Sequence, residues 1–152
     1  MDYYNAILVG IPDCQRKRLQ SVINASARLV SGARRNDHIT PVLCDLHWLQ
    51  VSERINYKVA VLTFKCLSGT APTYLSSTIQ KVADIPSRKR LRSSSGLRLI
   101  IPRSRLVSVG DRAFPVAAAR IWNSLPLDVI SADSLAVFRK RLKTHLFSVS
   151  YS

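Results

Sequence analysis

One stretch in the middle of this chain limits its architecture more than any other. From Ser52 to Leu67, Val51, Ile55, Val59, Leu62 and Cys66 form an apolar stripe at helical spacing, and Val61, Phe64 and Leu67 join them in the later turns. A helix that is apolar nearly all round cannot lie on a surface, because it needs cover on several sides. The chain must supply that cover from its other segments, and 152 residues are enough to build one core around it.

The covering segments read as helices too. Residues 2–9 suit a short helix stopped by Gly10 and Pro12, and Asp13 then opens a longer one over 13–31. There Leu19, Val22, Ile23, Ser26 and Val30 fall at helical spacing, and Gly32 stands where a left-handed C-cap belongs. Thr40-Pro41 reads as an N-cap and first helical position for a brief helix to Leu46, followed by a corner at Trp48-Leu49. Pro72 opens a short segment carrying Tyr74, Leu75 and Ile79. Residues 115–124 form a helix that starts at Pro115, with Pro126 closing the region.

The last helix, about 134–147, has the sharpest pattern. Leu135, Phe138, Leu142 and Leu146 share one face, with Arg139, Lys140 and Lys143 behind. Between 97 and 109, Leu97, Leu99 and Ile101 alternate with Arg98 and Ile100, and Leu106 to Val109 reads as a return strand, which predicts a small β-hairpin. The expected fold is therefore mainly α, with six or seven helices and that hairpin. Trp48, Phe114, Trp122, Phe138 and Leu142 are expected in its core.

Charge narrows the partners. With 23 Lys and Arg against nine Asp and Glu the chain carries +14, far beyond what solubility needs, and a polyanion is the partner that balances it. The excess concentrates beyond residue 80. Arg88, Lys89, Arg90, Arg92, Arg98, Arg103 and Arg105 form an acid-free run, and residues 84–96 around its start read as an exposed basic loop. Each guanidinium can fork two phosphate oxygens while counterions are released. The plainer alternative is a solvated or nuclear-import-type loop. Arg54, Lys58 and Lys65 form a second stripe on the central helix, read as stems lying along the edge of the core; Lys140 and Lys143 are discounted in the same way. Tyr57, Tyr74 and Trp122 could stack on bases, although Trp122 is better placed in the core.

Reaction chemistry finds little support. Cys44-x-x-His47 with His38 nearby is one ligand short of a structural zinc set. The carboxylates are scattered, with no Asp-Asp pair or Asp-x-Asp for a two-metal site, and no Gly-x-Ser-x-Gly elbow or phosphate-binding Gly-rich loop occurs. His145 reads as a core-edge residue. No metal, cofactor or small-molecule substrate is expected. Three widely spaced cysteines, Cys14, Cys44 and Cys66, without a Cys-x-x-Cys or a signal-peptide pattern, predict reduced thiols in an intracellular compartment, the nucleus included. No apolar run approaches the roughly 18–20 residues of a membrane span, so no membrane partner is expected.

Several blocks in order carry a resemblance: Leu46-His47-Trp48-Leu49, Gly110-Asp111-Arg112-Ala113-Phe114, and Trp122-Asn123-Ser124-Leu125-Pro126, within residues 2–147. The chain resembles the C-terminal, post-palm region of LINE-type, jockey-like non-LTR retrotransposon reverse transcriptases. The resemblance implies a thumb-like and C-terminal helical region; with the residue patterns above, the expected division is a helical thumb-like segment over 1–83, the basic loop over 84–96, and a hairpin with a two-helix C-terminal segment over 97–152, within one compact domain or a loosely joined pair. It supplies no catalytic residue, because the palm's Tyr-x-Asp-Asp type motif is absent and Tyr3-Tyr4-Asn5-Ala6 offers no carboxylate. The expected function is sequence-tolerant holding of RNA or DNA by the phosphate backbone, without catalysis. Two alternatives stand beside it: a scaffold that packs on an upstream polymerase palm, and a protein-interaction module recruited by the host.

Overall fold

The computed structural model describes residues 8–84, 97–103, 110 and 112–152. Among them are seven α-helices: α1 (Asp13–Ser31), α2 (Ile39–Asp45), α3 (Val51–Leu67), α4 (Thr73–Ser76), α5 (Phe114–Ser124), α6 (Leu127–Ile130) and α7 (Leu135–Tyr151). The mainly helical fold is thus as expected. Most of the helix anticipated over 2–9 lies outside the described residues, and Leu8 to Gly10 form a turn.

Local chemistry explains most helix ends. Gly32 closes α1 at φ 69°, where a side chain would be strained. The start of α2 lies two residues before Pro41, with His38 as N-cap; Pro41 still falls in the first turn, where its missing N–H removes no intrahelical bond. Ser134 caps α7 by accepting from the Val137 N–H at 3.3 Å. The first turn of α3 borrows its cap from another helix: the Val51 N–H donates to Gln20 Oε1 at 2.9 Å, and Arg16 Nη1 donates to Ser52 Oγ at 3.2 Å.

Helix α3 serves two clusters along its length. Its first turns, with Val51 and Ile55, join Ile23 and Ala27 of α1 and Leu43 of α2. Its later turns, with Ala60 and Val61, join Trp122, Leu125, Val129, Phe138, Leu142 and Leu146. Phe64 stacks on Phe138 at 4.6 Å, and Phe138 on Trp122 at 5.7 Å, which makes an aromatic centre where α3, α5 and α7 meet. Trp122, Phe138 and Leu142 are buried as expected, whereas Trp48 and Phe114 are only half-buried. Thr63, fully buried, satisfies its hydroxyl by donating to the Val59 carbonyl at 2.8 Å.

Of the residues at helical spacing in α1, Ile23 is buried, together with Ala27, while Val22 and Val30 are exposed, with Leu29 more so. The helix is rotated so that Gln20 and Ile23 face α3, and that turns Val30 outward.

One expectation needs correction: the hairpin near 97–109 does not form within the described residues; 104–109 lie outside them. Leu99 makes a single antiparallel bridge with Lys81 instead. The Val82 N–H donates to the Arg98 carbonyl and the Ile100 N–H to the Gln80 carbonyl, both at 2.9 Å. The other edge of the segment is held by side chains. Asn123 accepts from the Leu99 N–H and donates Nδ2 to the Leu99 carbonyl, both at 2.9 Å, and Trp122 Nε1 donates to the Leu97 carbonyl at 2.7 Å. With α5 supplying these partners, the segment needs no second strand.

Candidate nucleic-acid interface

Of the seven cations anticipated as a phosphate-binding run, Arg98 and Arg103 are described, and both are exposed. Arg98 is presented by the bridged segment, whose buried Leu99 anchors it to the core. Arg88, Lys89, Arg90, Arg92 and Arg105 lie outside the described residues.

A second basic site emerges from the packing. A cleft of about 550 Å³ opens between α1, the corner at 47–49, α3 and α7. Val22, Ile23 and Leu49 form its apolar part and Trp48 and Tyr57 add aromatic rings; Arg54, Lys58 and Lys143 bring three cations. His47 and Ser26 complete the lining, and no Asp or Glu is among the lining residues. Lys65, the third member of the stripe expected on α3, is not part of it.

The corner is built by an unusual backbone. His47 adopts φ 52°, the one non-glycine residue in the left-handed region among those described. Its N–H donates to the Cys44 carbonyl and the Trp48 N–H to the Leu43 carbonyl, each at 2.9 Å, which is the Schellman pattern closing α2. That turn swings Trp48 to the rim of the cleft. The guanidinium of Arg54 lies 5.5 Å from the centre of the Trp48 ring, and its Nε donates to the Leu49 carbonyl at 2.9 Å. The His47 ring stacks on Phe147 of α7 at 5.5 Å.

The end of α7 holds the same corner from the other side. Tyr151 donates its hydroxyl to the Trp48 carbonyl, and Gln50 Nε2 donates to the Ser150 carbonyl at 3.1 Å. This explains why α7 runs a turn beyond the anticipated 147. Burial pushes the Tyr151 phenol up to about 12, with Cys44 and Glu53 adding to the rise and Arg54 opposing it.

Other candidate chemistry gains no geometry here. Among the described residues, no group of three His, Cys, Asp or Glu side chains comes together to hold a metal; Cys44, His47 and His38 do not converge. Cys66 is buried, and desolvation raises its thiol pKa, which keeps it protonated and inert. No helix among the described residues is long and apolar enough to cross a membrane.

The sequence contains the parts of this cleft without their assembly. Arg54 and Lys58 stand out as a helical pair, but nothing local links them to Lys143, whose pattern is that of a solvated back face. The role of Asn123 carries no signal beyond its place next to Trp122. This chain matches no protein-family model, no curated protein and no solved structure.

Proposed function

We propose that this chain is a non-catalytic C-terminal region of a LINE-type retrotransposon reverse transcriptase and that it holds single-stranded RNA or DNA by the phosphate backbone. The supporting observation is the acid-free cleft where Arg54, Lys58 and Lys143 meet beside Trp48 and Tyr57, in a chain that also presents Arg98 and Arg103 to solvent. Cations with interleaved aromatic rings bind a strand without reading its sequence, because every nucleotide offers the same phosphate and a stackable face.

Fluorescence anisotropy against salt tests this reading. A footprint of about four to six phosphates gives a slope of log K against log[salt] of roughly −3 to −4, with little preference among sequences. Replacing Arg88, Lys89, Arg90 and Arg92 with Ser should flatten the slope if the basic loop takes part. Absence of binding at ~50 mM salt, with the helical fold intact, would overturn the reading.

The scaffold reading draws on a different observation. Leu29 is 86% exposed and Val30 64%, with Val22 nearby on the same helix, so α1 carries apolar side chains that nothing among the described residues covers. Self-association of the isolated chain, relieved by co-expressing an upstream polymerase palm, would support a scaffold that docks by α1.

A further inference from the structure

We infer that the cleft between α1, the 47–49 corner, α3 and α7 seats one nucleotide of a single strand, with its phosphate on Lys58 and Lys143 and its base against the wall of Trp48 and Tyr57. The assignment rests on the nucleic-acid reading above and adds to it a defined place for one unit of the strand.

Charge points to an anion. Lys58 and Lys143 come from different helices to one cleft, have no ion-pair partner among the described residues, and meet no carboxylate in the lining. Like charges brought together repel unless an anion lies between them. Arg54 is already engaged with the Leu49 carbonyl and the Trp48 ring, which makes it a brace for the wall and leaves the lysines as point charges for a phosphate.

Shape points to a nucleotide. A cleft of about 550 Å³ lies within the roughly 300–1,000 Å³ of ligand pockets. Its lining combines two kinds of group, the cations Lys58 and Lys143 and the aromatic or apolar Trp48, Tyr57, Ile23 and Leu49. A nucleotide has the same division between phosphate and base. The aromatic wall is also set in advance: the Schellman turn fixes the backbone of Trp48, Arg54 covers its ring, and Tyr151 holds its carbonyl. A base entering the cleft therefore meets a ring that is already ordered.

Tryptophan fluorescence can watch this site in the full chain, because Trp122 is only 2% exposed and Trp48 lines the cleft. Titration with fluorescein-free hexathymidylate should quench Trp48 to saturation, and a blunt hairpin duplex should not. The double variant Lys58→Gln with Lys143→Gln should bind about tenfold more weakly at ~50 mM salt and lose about 0.7 from the salt slope, the share of one single-strand phosphate. Tyr57→Ala should weaken binding by about tenfold with little change in slope. A parallel anisotropy titration with labelled hexathymidylate separates the outcomes. If the strand still binds while Trp48 stays unquenched and the lysine variant behaves as wild type, the cleft assignment is overturned and the nucleic-acid reading survives. If no strand binds a chain whose circular dichroism remains helical, both fall.

Discussion

At the scale of single residues, Asn123 and His47 do the least obvious work. Asn123 uses both ends of its amide to satisfy both polar groups of Leu99, whose side chain is 2% exposed. Asn123→Ala strands a donor and an acceptor at the core edge and should cost about 2–4 kcal/mol in urea melts, against about 3–5 kcal/mol for Trp122→Ala, which leaves a cavity beside Phe138. Equal stability of wild type and Asn123→Ala would mean that water or a shifted backbone replaces the amide. Tyr151 predicts a pH effect. Its phenol titrates near 10 in the unfolded chain and near 12 in the fold, so above pH 10 the unfolded state gives up the proton first. Stability from this group is therefore complete below about pH 10 and is lost as pH rises through about 12. Tyr151→Phe should remove that part of the alkaline loss, read as melting temperature against pH.

At the scale of elements, patterning alone located the helices well. The limits of α1 and α3 follow the periodicity, with Gly32 closing α1, and α7 docks by Phe138, Leu142 and Leu146 as its stripe requires. The side of α1 that faces inward was not legible, because Val22, Ile23, Ala27 and Val30 are all apolar and periodicity allows more than one facing. In the fold, the inward side is the one that carries Gln20, whose side chain caps α3, and Ile23 and Ala27, which join the first turns of α3. Charge substitutions can check the orientation: Leu29→Lys with Val30→Lys should shift stability by no more than about 0.5 kcal/mol, whereas Ile23→Lys should cost several times that. The segment from Leu97 to Ile101 is a related case. Its alternation is that of a strand, yet its hydrogen bonds go to residues 80–82 and to side chains of α5.

At the scale of the molecule, the proposed function makes a prediction about polymerisation. Purified chain should extend no primer on an RNA template with Mg²⁺ or Mn²⁺, and extension that copurifies with it would contradict this. By itself the sequence determined the helical class, most helix limits, the aromatic and aliphatic core of α5 and α7, and the excess of cations. All of these depend on residues within one or two turns of each other, where spacing, caps and composition act directly. Only the tertiary structure decided which face of α1 is buried, what pairs with Leu99, and that Lys143 joins Arg54 and Lys58 around one cleft. Those outcomes arise from contacts between segments far apart in the chain, and their energies depend on how whole helices pack, which no local pattern encodes.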